Sequence, residues 1–255
     1  VAMDEQGICP QELEEKGVAV LHISPSHHFP TGCITPISRR YELLGWASAA
    51  EGRYIIEDDY DSEFRLTGRP IPTMMGIDVS GRVIYMNTFS KTLTPTIRIS
   101  YMVLPDKLVE VFHRELGFYS CTVSNFEQYT LARFIRGGYF EKHINRMRIR
   151  YKQKKDLILK EMKRCGLLKL AKIDAEDAGL HFLLRVCGPV PAEKITRRAA
   201  ENGVRVTGLS AYYHTAPVNP QTAFVISYSE IPDACITEAV NRLAKAVTAA
   251  VMGER

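Results

Sequence analysis

Lys91 lies in the stretch Asn87-Thr88-Phe89-Ser90-Lys91-Thr92-Leu93, and Arg98 follows it. An apolar run at 83–86 leads into this stretch and a second, at 99–104, leaves it. The arrangement sets a primary amine in a hydroxyl-rich turn between two expected strands. An amine at a strand end can condense with an aldehyde, while hydroxyls and an arginine hold a phosphate. For this segment taken alone, a solvated surface lysine is the plain alternative.

Upstream, Tyr54-Ile55-Ile56 runs into Glu57, Asp58, Asp59, Tyr60, Asp61, Ser62, Glu63 and Phe64. A strand that ends in acids and a tyrosine has its polar groups at its carboxyl end, where ligands sit in open α/β sheets. A carboxylate against a pyridine nitrogen makes the ring a better electron sink, and a phenol near a ring hydroxyl tunes an imine. Asp58 and Tyr60 have those types. A solvated acidic turn or a cation site would use the same residues, although Tyr60 and Phe64 interrupt any calcium-loop spacing.

A third polar segment, Ser24-Pro25-Ser26-His27-His28-Phe29-Pro30-Thr31-Gly32, follows an apolar run at 18–23. Pro30 and Gly32 predict a tight turn, and Thr35-Pro36 predicts a capped helix start. Adjacent histidines rarely bind one ion together, and no Cys or carboxylate stands at a helpful spacing, so no metal site is expected.

Together the segments 26–32, 57–64 and 88–98 resemble the fold-type I family that uses pyridoxal 5'-phosphate (PLP), the aspartate aminotransferase superfamily. They are most similar to its MocR-type branch, in which such a domain follows a GntR-type winged-helix DNA-binding domain. The resemblance covers essentially the whole chain and is dense from Val18 to Pro105. It implies that Lys91 forms the internal aldimine, that Asp58 pairs with the pyridinium nitrogen and that Tyr60 bonds the ring oxygen. It also implies that Thr88, Ser90 and Arg98 hold the phosphate, Arg98 as a bidentate donor. Aminotransferases carry Asn where Phe29 stands, which leaves His28 or His27 for the ring oxygen. Val225 stands where the family's substrate-carboxylate arginine would fall, with Arg205 as the candidate substitute.

The implied fold class is α/β and fold-type I PLP-transferase-like. The expected domains are a partial large doubly wound PLP domain at 1–118, connector helices at 119–165 and a small α/β domain at 166–255. The amino-terminal part of the large domain is expected to lie outside this sequence, together with any winged-helix domain that contacts DNA. The implied function is that of the PLP-binding effector and dimerisation domain of a MocR/GntR-type transcriptional regulator. The alternative is an active PLP-dependent amino-acid aminotransferase. A homodimer, an amino acid or amine as effector or substrate, and a cytoplasmic location go with either.

The elements that must position these residues follow from periodicity. Strands are expected at 18–23, 54–57, 83–87 and 99–104, then helices from 106 to 118, 126 to 135 and 140 to 164. Beyond Gly166 the pattern predicts strand 180–186, helix 192–202, strands 204–207 and 224–229, and a helix from 233 to 251. Trp46 reads as core within a helix at 39–50, and Tyr212, Tyr213 and His214 fall in a loop. A chain of 255 residues with 45% hydrophobic content can bury a core, and its net charge is only +4. No run reaches membrane-spanning length and no signal-peptide layout is present. The six cysteines are scattered and read as reduced thiols. Arg146, Arg148, Arg150, Lys152, Lys154 and Lys155 suggest nucleic-acid contact, but their alternation spreads them around the helix, which predicts a solvated connector.

Overall fold

The computed structural model describes all residues except 67, 69–70, 176–178, 215–220 and 254–255. It divides into two compact units, Val1–Phe29 with Cys33–Met147, and Pro30–Gly32 with Arg148–Arg255.

The first unit opens with a short hairpin, β1 (Met3–Asp4) and β2 (Gly7–Ile8), followed by α1 (Pro10–Glu15). Then come β3 (Val20–Ile23), α2 (Ile37–Ser48), β4 (Tyr54–Asp58), α3 (Met74–Ile77), β5 (Val83–Thr88), α4 (Phe89–Thr92) and β6 (Ser100–Val103). Among the described residues the main sheet has the order β3-β4-β5-β6. The first three strands are parallel and β6 returns antiparallel. Side chains alternate across a strand, so Leu21, Ile23, Ile55 and Val83 share the face that meets Leu43, Leu44, Trp46 and Ala47 of α2. Full burial of one such leucine contributes roughly 2 kcal/mol.

Glu57 also points into this interior. Its carboxylate accepts from the backbone N–H groups of Met74 and Met75 at 2.8 and 3.0 Å, which ties β4 to the start of α3. Fully buried Arg40 lies 3.7 Å from it and donates to the carbonyls of Pro25, Thr35 and Pro72. This one side chain pins both ends of the loop that carries His27 and His28. The expected cap at Thr35 does not form: Pro36 is the N-cap residue, without a side-chain hydrogen bond. The Thr35 hydroxyl is instead buried against the His28 ring.

Helices α5 (Asp106–Leu116) and α6 (Asn125–Arg136) contain no buried residue, although both are amphipathic. The long helix α7 (Tyr139–Arg164) stops just before Gly166, whose φ of 78° suits a residue without a side chain. Not all of its cations are solvated. Lys154 is buried, and its Nζ donates to the carbonyls of Ser229 and Ile231. Lys155 is buried as well. An ammonium serves there as a donor to turn carbonyls at 229 and 231, which sequence pattern alone does not reveal.

The second unit contains β7 (Ala171–Asp174), β8 (His181–Val186), α8 (Ala192–Glu201), β9 (Thr207–Gly208), β10 (Ala223–Ser227) and α9 (Ile236–Val251). Its described strands form an antiparallel sheet of order β7-β8-β10-β9. Strand β7 was not expected, because Lys and Asp dilute its apolar signal. The strand expected at 204–207 shrinks to the pair 207–208.

Candidate functional site

Three parallel strands end on one edge of the main sheet, and each is followed by one of the polar segments. Register pairs Ile23 with Glu57 and Asp58 with Met86, so the loop after β3, the acids after β4 and the turn after β5 emerge side by side. This is the edge at which open α/β sheets take ligands.

Lys91 sits on α4, a single helical turn rather than an irregular loop, and is exposed. Among the described residues it has no hydrogen bond or ion pair. Thr88 is the N-cap of that turn, its Oγ1 accepting from the N–H of Ser90 at 3.2 Å. Ser90 donates its hydroxyl to the carbonyl of Ile97 at 2.9 Å and accepts from Nη1 of Arg98 at 3.3 Å. Thr88, Ser90 and Arg98 are thus gathered around one turn, and the other guanidinium N–H groups of Arg98 remain available to an anion.

The acids divide by strand alternation. Glu57 and Asp59 face the interior; Asp59 accepts from Tyr85 at 2.9 Å and from Ser62 at 2.7 Å. Asp61 meets Nδ1 of His27 at 2.9 Å with both side chains buried, and Glu63 accepts from Asn87 at 3.2 Å. Asp58 faces the opposite side, with its Oδ2 3.4 Å from Nε2 of His22. Burial pushes the Asp58 carboxyl above the usual range, a tendency that His22 opposes and that Asp59 and Asp61 add to. Most of the acidic burst is therefore structural, and Asp58 is set apart from it. His22 was not singled out in sequence, since only the register of β3 against β4 brings it to Asp58.

Tyr60 donates to the backbone carbonyl of His27 at 3.0 Å. Its phenol is pushed up by burial, with Asp61 and Asp58 adding to the effect, so it stays protonated at neutral pH. Its oxygen can still accept from, or be approached by, a ring substituent. His28 is buried, and its Nε2 lies 2.8 Å from the Thr35 hydroxyl. Burial, then the positive charge of Arg40, lowers its pKa to about 4. The structure therefore has the His28 ring neutral and already engaged, while Phe29 is half exposed.

A half-buried carboxylate, a neutral phenol, an exposed amine, and an arginine among hydroxyls stand at one sheet edge, groups of the types that can engage a phosphorylated pyridine aldehyde. The fold is that of an aminotransferase-like α/β protein. The chain belongs to the aminotransferase class I and II family, whose model matches residues 7–243. It is 40% identical over 243 residues to the uncharacterized HTH-type transcriptional regulator YdeL of Bacillus subtilis, covering 95% of this chain and 52% of that protein. It is 36% identical over 230 residues to the probable rhizopine catabolism regulatory protein MocR of Rhizobium meliloti, covering 90% of this chain and 46% of that protein. Among solved structures it is similar to Pyrococcus horikoshii kynurenine aminotransferase in complex with PMP. That likeness has TM-score 0.81 and 27% identity, over 96% of this chain and 62% of the other. The chain spans about half the length of the curated relatives it matches.

In the second unit, Val225 is buried in β10 against Leu183, Leu209 and Ala223. Arg205 is exposed just before β9. No helix among the described residues is long and apolar enough to cross a membrane.

Proposed function

We propose that this chain is the PLP-binding effector and dimerisation domain of a MocR/GntR-type transcriptional regulator. The observation that carries the reading is the 40% identity to an HTH-type regulator over 95% of the chain. Lys91 would hold the cofactor covalently, Asp58 would face the ring nitrogen and Tyr60 the ring oxygen. Arg98, with Thr88 and Ser90, would take the phosphate. PLP, when bound, supplies a conjugated ring that withdraws electrons from a condensed amine.

What the protein's own residues do follows from their environments. Asp58 offers a carboxylate on the open face of the sheet, while its neighbouring acids are tied to Tyr85, Ser62, His27 and Asn87. Tyr60 holds a proton on a phenol oxygen fixed by the His27 carbonyl. Arg98 brings a permanent charge to the first turn after β5, where it positions an anion rather than moving a proton. His28 is too enclosed to exchange protons readily, and its part is to brace the loop rather than to touch a ring oxygen.

The effector in this reading is an amino acid or amine that exchanges with Lys91 and shifts a conformational equilibrium, which a preceding DNA-binding domain would read out. The unburied apolar residues Val109, Val111 and Leu116 of α5 and Phe126 and Tyr129 of α6 suit a homodimer interface. A cytoplasmic location accords with the scattered placement of the six cysteines along the chain, without paired spacing.

The second reading, an active aminotransferase, is favoured by the likeness to kynurenine aminotransferase and disfavoured by Val225. A buried valine packed between strands offers no clamp for a substrate carboxylate. The test is to add PLP and then a panel of amino acids to the full-length protein, following visible absorbance, keto-acid release and operator binding. A spectral change with altered operator binding and no keto acid supports the regulator. Stoichiometric turnover to keto acid would replace it with the enzyme.

A further inference from the structure

His22 stands on β3, one strand over from Asp58. The parallel register pairs His22 with Ile56, so its ring reaches two residues forward along β4 to meet the carboxylate. The Nε2–Oδ2 distance is 3.4 Å, with the His22 side chain 60% and the Asp58 side chain 34% exposed. Asp58 is also acted on by Asp59 and Asp61, and Tyr60 in turn feels Asp58. Its register partner on β5 is Met86, which is uncharged. Among these neighbours His22 alone can carry positive charge.

We infer that His22 is a positioning residue for Asp58: it draws Oδ2 toward itself and favours the anion, leaving Oδ1 to meet the ring nitrogen of PLP. This rests on the assignment of Asp58 to that nitrogen. A carboxylate has lone pairs enough for both contacts. The need for such a partner is specific to this site, because the acids flanking Asp58 oppose its ionisation. A hydrogen-bonded, oriented carboxylate is a better acceptor for a pyridinium than one turned toward solvent, as with the outer-shell partners of metal ligands.

The experiment compares the full-length wild-type protein with His22→Gln, which keeps hydrogen bonding without charge, and His22→Lys, which restores a cation. In the PLP-free protein, carbon-13 carboxyl NMR follows Asp58, its resonance identified by its loss in Asp58→Asn. Titration of Asp58 should move to higher pH in His22→Gln and return toward the wild type in His22→Lys. With nitrogen-15 PLP bound, the pyridine nitrogen of His22→Gln should lose its proton at lower pH. PLP should bind about twofold to fivefold more weakly, the range an exposed ion pair supplies. An Asp58 titration that is the same in all three proteins overturns the inference. If Asp58 responds as expected but wild-type protein does not take up PLP, the assignment to the ring nitrogen falls and the proposal with it, while the His22–Asp58 coupling itself stands.

Discussion

Arg98 donates from Nη1 to the hydroxyl of Ser90 across 3.3 Å, joining the start of the return strand to the helical turn that carries Lys91. The pair sets a fixed charge against Ser90, the residue that precedes the amine-bearing Lys91. Arg98→Ala should therefore weaken PLP by about tenfold to a hundredfold, the range for loss of a charge-assisted contact. Pyridoxal without its phosphate should bind both proteins alike. Equal losses for the two ligands in fluorescence titrations would take Arg98 out of the phosphate role.

Covalent attachment gives a direct test of Lys91. After incubation with PLP and borohydride reduction, intact-mass spectrometry should find one phosphopyridoxyl adduct per wild-type chain and none on Lys91→Ala. An adduct of equal yield on the variant would move the attachment point elsewhere.

His28 makes stability depend on pH. Its folded pKa of about 4 lies below the ordinary 6.5, so the fold favours the neutral ring. The stabilisation is complete above 6.5, declines as pH falls, and is lost as pH passes through about 4. The total is about 3 kcal/mol. His28→Gln should lose less stability than wild type in urea unfolding between pH 7 and pH 4. Parallel pH dependences would show that the ring is not held neutral.

Arg40 and Glu57 face each other with no solvent contact, and Arg40 also serves three carbonyls. Arg40→Met leaves the carboxylate without its partner and should cost about 3–5 kcal/mol in denaturant unfolding. Adding Glu57→Gln, which removes the stranded charge, should recover part of that. A cost below about 1 kcal/mol would mean that the loop after β3 is held by other contacts.

Much of this architecture is legible in the chain. Apolar runs at 18–23, 54–57, 83–87 and 99–104 become β3 to β6, because alternation and β-branched content act locally. Gly166 and Gly203 end helices as read, both at positive φ. Other features depend on distant partners. Thr35 looks like a cap and instead bonds His28. Lys154 looks solvated and instead serves Ser229 and Ile231.

The sequence by itself determined the chemistry on offer: an amine at 91, an arginine at 98, a carboxylate at 58 and a phenol at 60, each close to one end of a strand. Those readings depend on residue type and short-range pattern, which a linear chain carries in full. Only the tertiary structure decided how the acids between 57 and 63 share their work. Side-chain alternation turned Glu57 and Asp59 inward to Met74, Met75, Tyr85 and Ser62, and left Asp58 beside His22. The register of β3 on β4 sets that meeting, and register comes from how both strands bury their apolar faces against α2, not from any residue near Asp58 in sequence.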